Sequence, residues 1–230
     1  MEKLLRITFS KSKNAVFLNH IDVINIFEQA FIRAGVKIKY SEKKKSKPLI
    51  VFADPLSKGI ESVGEIIDVS IVEKLDISYF IKQINKVLPS GITVLNAEYA
   101  VDDGINLMDK VYASTYLISI IYDENKFKNK NKKQIELMRE KYKEKLKEYL
   151  EQDKILVLKK WDARMERIDI KAEIINFDFL IDGSLEITIC SGFRKRLDPA
   201  NIMVGYSEYI SEDVKYNIKR TKILYKWFKS

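Results

Sequence analysis

One cysteine and one histidine are the only thiol and imidazole groups in this chain of 230 residues. A zinc site or an iron–sulfur cluster needs several such ligands, so neither can be assembled from this chain alone, and no cofactor is expected. Cys190 has no partner for an internal disulfide; it lies in an alternating, strand-like segment and reads as a small buried apolar group. Glycine is scarce, with 8 residues, and proline scarcer, with 4. Among them there is no glycine-rich phosphate loop, dinucleotide fingerprint, nucleophile elbow or metalloprotease helix, so most enzyme classes that carry a sequence motif lose ground. Long apolar runs are missing as well: no stretch of about 18 residues qualifies as a membrane span. Residues Met1 to Phe9 form a charged amphipathic strand pattern instead of an apolar signal core. The expectation is a cytoplasmic protein with no membrane partner.

What is present is charge on a globular framework. Hydrophobic residues make up 46% and charged residues 32% of the chain, a soluble, core-forming composition. Lysine and arginine number 41 against 33 acids, for a net charge of +8 and a pI near 9.2. That balance favours an anionic partner such as RNA, DNA, an acidic protein face or a membrane surface. The richness in lysine, isoleucine and asparagine has a second source, an AT-rich genome.

The densest information lies between Leu18 and Asp68. Asn19 is placed as a helix N-cap, with Asp22 three residues on to complete a capping box. Val23, Ile24, Phe27, Ala30, Phe31 and Ala34 then recur at helical spacing, and Gly35 supplies a left-handed stop. His20 falls in the first turn, where the positive end of the helix favours neutral imidazole. It is either a base or hydrogen-bonding ligand, or simply a cover for the helix start. Beyond a short extended piece, Val36 to Tyr40, come Lys43, Lys44, Lys45 and Lys47, a self-repelling and therefore solvated loop. A strand at Leu49 to Ala53 leads into a turn containing Pro55, Gly59, Glu61 and Ser62 before strand resumes at Gly64 and Glu65. Glu61 and Glu65 either balance the lysine loop or take part in chemistry.

Along the chain, strands are expected at Leu4 to Phe9, near Lys37, at Leu49, at Gly64 to Val72 and at Ile92 to Tyr99. The helix from Asn19 and a second one capped by Asp76 are set among them. The second half repeats the order: a strand at Tyr112 to Ile121, a long helix from Lys133 to Glu151, and strands at Ile155 to Leu158, Ile168 to Phe177 and Leu185 to Cys190. A short helix from Pro199 and a strand from Tyr216 to Tyr225 end it. Asp182-Gly183 marks a hairpin turn. The fold class expected is α+β, as two tandem ferredoxin-like (split β-α-β) domains with antiparallel sheets, spanning residues 1–103 and 104–230.

Several short motifs carry a resemblance. They are Phe9-Ser10-Lys11, Phe17-Leu18-Asn19-His20-Ile21-Asp22, Phe27-Glu28-Gln29-Ala30, Arg33-Ala34-Gly35, Tyr40-Ser41-Glu42, and Pro55-Leu56 with Gly59, Glu61-Ser62, Glu65 and Asp68. Together they resemble the radical-SAM-linked protein family (DUF2344). The likeness is good over the first hundred residues and rests later on Arg196-Leu197-Asp198-Pro199 and Ile218-Lys219-Arg220-Thr221. It implies a radical SAM protein as partner, with any cluster in that partner. It also implies a shared cleft formed by His20, Asp22, Pro55, Gly59, Glu61, Ser62 and Glu65. The chain departs from the family where a Gly-Phe-Asn-Pro-His-Pro type loop usually follows the Tyr-Ser pair: Lys43 to Pro48 keeps only the last proline, so the second histidine is absent.

Two basic surfaces complete the reading. One holds Lys43, Lys44, Lys45 and Lys47. The other combines Phe193, Arg194, Lys195 and Arg196 with Tyr216, Lys219, Arg220, Lys222, Tyr225, Lys226 and Trp227. Cations that neutralise phosphates, interleaved with rings that stack on unpaired bases, suit RNA; the same alternation also describes a half-buried strand. The long helix with its preceding Lys126, Lys128, Lys130, Lys132 and Lys133 reads as a mostly solvated face. The function expected is a non-catalytic accessory module that binds ribosomal or transfer RNA and assists a radical SAM enzyme. The alternatives are a metal-independent RNA endonuclease with His20 as general base, and a protein–protein adaptor.

Overall fold

The structure is a computed structural model, and it describes residues 3–42, 46–122, 131–161, 164–193 and 195–226. It is a mixed α+β protein whose strands pair mostly antiparallel. The chain forms two compact units, the first made of residues 1–114, 191–194 and 219–230, the second of 115–190 and 195–218. Among the described residues no helix is long and apolar enough to cross a membrane.

In the first unit, strands β1 (Lys3–Lys11), β2 (Ile50–Phe52), β3 (Glu61–Ile71) and β4 (Ile92–Ala100) alternate with helices α1 (His20–Arg33) and α2 (Ile77–Val87). β1 lies between β4 and β3, antiparallel to both, with Ile7 facing Ile67 and Phe9 facing Glu65. β2 pairs antiparallel with β3 through Phe52 and Ile67. The strand expected near Lys37 reduces to two isolated bridges, Ile38 to Ile71 and Tyr40 to Pro48. Helix α3 (Leu107–Lys110) is a single turn.

Helix α1 forms for the reasons its sequence announces. The Asn19 side chain accepts from the Asp22 amide at 2.9 Å and Asp22 accepts from the Asn19 amide at 2.9 Å, and Gly35 carries φ 70° just past the last turn. Its apolar stripe, Val23, Phe27, Ala30 and Phe31, packs with Phe80 and Ile84 of α2 on Leu5, Ile7, Phe9, Ile67, Val69 and Ile71 of the sheet. Phe31 and Phe80 stack at 6.1 Å. Each fully buried side chain of this size contributes about 1.5–3 kcal/mol, which outweighs the weak pull of any exposed ion pair.

The last strand, β10 (Lys215–Tyr225), departs from the antiparallel expectation. It joins β3 in parallel, with Lys219 opposite Glu61 and Arg220 opposite Ser62. Gly64 permits this approach, since a Cβ there would stand 2.8 Å from the Thr221 carbonyl oxygen.

The second unit takes β5 (Val111–Ile121) beyond Ser114, then α4 (Lys132–Glu151), β6 (Leu156–Trp161), β7 (Arg164–Asp169), β8 (Ile174–Phe179), β9 (Leu185–Cys190) and α5 (Pro199–Ile210). β8 and β9 form the hairpin expected around Gly183, whose φ is 83°. β6 and β7 make a separate two-stranded sheet. The single strand expected from Ile168 to Phe177 is broken because the Asp169 carboxylate accepts from the amides of Ile155 and Lys171, which turns the chain. In α4, Leu146, Tyr149 and Leu150 are buried, and Tyr149 lies against Gly205 of α5.

Tyr149 and Gly205 generate a prediction. A Cβ at Gly205 would meet the Tyr149 hydroxyl oxygen at 2.1 Å, and that buried hydroxyl has no hydrogen-bond partner among the described residues. Gly205→Ala should cost about 1–3 kcal/mol. Tyr149→Phe should be neutral or stabilising by up to about 1 kcal/mol and should recover part of the Gly205→Ala loss. Urea midpoints of the two single variants and the double variant measure the coupling.

Candidate functional site

The residues that converge on the start of α1 come from four parts of the first unit. β1 ends at Lys11, the segment after β2 brings Asp54, β3 brings Ser62 and Glu65, and β10 brings Arg220. All five are buried. The Arg220 guanidinium, 0% exposed, donates from Nε to Glu65 at 2.8 Å and from Nη2 to the second oxygen of the same carboxylate. Its Nη1 donates to the Asp54 carboxylate at 2.6 Å, and Nη2 also donates to the Asp54 carbonyl at 2.7 Å. A planar guanidinium matches this two-carboxylate arrangement where a lysine would not.

Lys11 completes the cluster. Its Nζ donates to the Leu18 carbonyl at 2.9 Å, at the end of the turn that precedes α1. Burial pushes its pKa below the ordinary lysine value, opposed by the nearby Glu65 carboxylate. Lys11 is the kind of amine that changes protonation more readily than a surface lysine.

The His20 ring lies edge-on to Phe52 at 4.6 Å between centroids. Its pKa is lowered, the direction expected, but the cause is burial and not the helix end. The imidazole is therefore neutral near pH 7, able to accept or donate one hydrogen bond. Asp22 serves the capping box.

The remaining predicted cleft residues are distributed differently. Gly59 turns the chain with φ 82° and donates to the Val16 carbonyl at 2.9 Å. Pro55 is half-buried, and Glu61 is exposed. Ser62 accepts from the Gly64 amide at 3.2 Å. Glu65 is committed to Arg220, so balancing the lysine loop does not describe it.

Among the predicted RNA contacts, Lys47 and Arg196 are exposed and Lys219 is half-buried. Arg220 is the correction: it belongs to the interior, and its fork is turned on Glu65 and Asp54. Lys43, Lys44, Lys45 and Arg194 lie outside the described residues, as do Trp227 and Lys126, Lys128 and Lys130 of the solvated run. Sequence reasoning missed Lys11 and Asp54 as site members. One signal was available: Arg220 shares the inward face of β10 with Ile218, and an inward cation requires a buried carboxylate.

Two outcomes are expected. Arg220→Met should destabilise the protein by about 3–5 kcal/mol, because removing one partner of a buried ionic cluster strands the other; chemical denaturation measures it. For His20, the folded state holds the neutral form, so the stabilising difference is full above about pH 6.5 and is lost as the pH falls below that value. Wild-type stability should fall more steeply between pH 7.5 and pH 5 than that of His20→Leu, as compared by urea midpoints at the two pH values.

A family model described as "Uncharacterized protein conserved in bacteria (DUF2344)" matches residues 4–199. No curated protein matches. A solved structure titled as an unknown protein from Galdieria sulphuraria is 11% identical, with 96% of this chain and 99% of that one covered at a TM-score of 0.27. DyPB from Rhodococcus jostii RHA1 is also 11% identical, with 90% and 83% covered at 0.21. Scores this low say nothing of the fold, whereas the family match takes in β1 through the first residue of α5, including Lys11, His20, Asp54 and Glu65, and the chain belongs to the DUF2344 family.

Proposed function

We propose that the protein is a non-catalytic accessory module of the cytoplasm that binds ribosomal or transfer RNA and assists a radical SAM enzyme. The radical SAM partner follows from the resemblance of the N-terminal motifs. One observation carries the RNA part. Among the described residues the buried ionic groups are Arg6, Lys11, Lys110 and Arg220 against Asp54, Glu65 and Asp68. Four cations nearly cancel three carboxylates, so almost all of the +8 surplus belongs to residues outside this interior set. Surface cations bind nucleic acid by displacing counterions from phosphates.

The strand orders support the finer reading of the fold as two ferredoxin-like repeats, the first through residue 103 and the second from residue 104. The sequence β4-β1-β3-β2 recurs as β10-β5-β9-β8, with β6 and β7 as an inserted hairpin. A second functional reading, metal-independent RNA cleavage with His20 as general base, draws on the neutral imidazole.

Titration of purified protein with labelled transfer RNA between about 50 and 200 mM salt tests the proposal. Affinity should fall linearly in log–log form, and Lys47→Gln and Arg196→Gln should each reduce the slope by about one. Absence of RNA binding, with a radical SAM protein retained from nuclease-treated cell extract, would replace the RNA reading by an adaptor. RNA cleavage that disappears in His20→Ala would favour the endonuclease.

A further inference from the structure

In the second unit, α4 and α5 leave a cavity of about 160 Å³ lined by Met138, Lys141, Tyr142, Lys145, Ile210 and Glu212. The four α4 residues follow one another at helical spacing, so they form a single stripe. Its character is mixed in a way that a packing defect would not require. Met138 and Ile210 are apolar, Tyr142 offers a half-buried ring, and the two lysines stand one turn apart. The Tyr142 hydroxyl donates to the Glu212 carboxylate, and the ring is steadied edge-on by Tyr122 at 5.8 Å. Tyr122 in turn lies beneath the Arg139 guanidinium at 5.2 Å.

We infer that this cavity is a subsite for one unpaired nucleotide of single-stranded RNA, an assignment that rests on the RNA-binding reading above. The volume is below the roughly 300 Å³ at which drug-sized pockets begin, which suits a single base. The tyrosine ring and the methionine give that base a stacking wall. Lys141 and Lys145 neutralise the phosphates on either side of it. The Glu212 carboxylate already accepts from the Tyr142 hydroxyl; its two oxygens carry about four lone-pair sites in all, and a further bond goes to a base that presents an exocyclic amine, as cytosine does through N4. Cytidine is the expected occupant, and uridine, with a carbonyl in that place, the disfavoured one.

The test uses the full chain with twelve-residue oligocytidine and oligouridine. Wild type should bind oligocytidine several-fold more tightly. The double variant Lys141→Gln/Lys145→Gln should lose about tenfold in oligocytidine affinity, while Lys132→Gln/Lys133→Gln, with the same charge change on the same helix, should lose distinctly less. Tyr142→Phe, which keeps the ring, should bind like wild type, and Tyr142→Ala should lose about tenfold, with circular dichroism showing both folded. Oligocytidine bearing one 5-iodocytidine should cross-link to a peptide containing residues 138–145 or 210–212. If no oligonucleotide binds wild type at low salt, the RNA reading fails and the subsite with it. If oligocytidine binds but cross-links elsewhere, or the two lysine pairs behave alike, the subsite alone is overturned.

Discussion

The first unit depends on a guanidinium held out of water. Arg220 is fully buried, and both its carboxylate partners, Asp54 and Glu65, are buried with it. Moving such groups from water into the interior costs several kcal/mol per ion, and only a complete set of charge-assisted hydrogen bonds offsets that. The set is nearly complete here because Glu65 binds two nitrogens and Asp54 contributes both side chain and backbone. The parallel contact between β10 and β3 covers two residue pairs, too few for backbone bonding to hold alone. The ionic cluster and the bare backbone of Gly64 secure it.

The same logic recurs once more on the opposite side of the sheet. Arg6 and Asp68, neighbours across β1 and β3, form a bidentate pair at 2.8 and 2.7 Å, and Tyr225 presents its ring to Arg6 at 5.4 Å. Ile66, Ala53, Leu107, Val111 and Ile223 gather around this face. Both inward arginines are thus neutralised within the first unit. Lysine at either position would lose the fork that makes two bonds at once. His20, by contrast, meets an aromatic ring and carries no charge to compensate.

Local signals read well from sequence, and distant partnerships did not. The cap of α1, its glycine stop, the Asp76 cap of α2 and the turn at Gly183 are settled by residues within a few positions of each other. The break at Asp169 was hidden because its carboxylate is claimed partly by Ile155, fourteen positions away. Arg220 read as a surface cation because alternation with lysines on either side is also how an exposed strand looks. Its true partners lie 155 and 166 positions earlier, where no periodicity reaches. That the half-buried ring of Tyr142 borders a cavity depends on Ile210 and Glu212, supplied by a distant part of the chain.

That separation has a bearing on how the molecule is made. Asp54 and Glu65 leave the ribosome close together, and the guanidinium that neutralises them follows 155 residues after Glu65. At synthesis rates of about 5–20 residues per second, the wait is on the order of ten seconds or more. Throughout it, the end of β3 near Ser62 lacks its parallel neighbour, and two carboxylates resist being drawn from water. The nascent first unit can collect its helices on one face during this interval, but its ionic interior closes only when β10 emerges. Closure of this interior is therefore gated by the strand that carries Arg220, and a ribosome stalled before Arg220 holds two buried-to-be carboxylates without their cation.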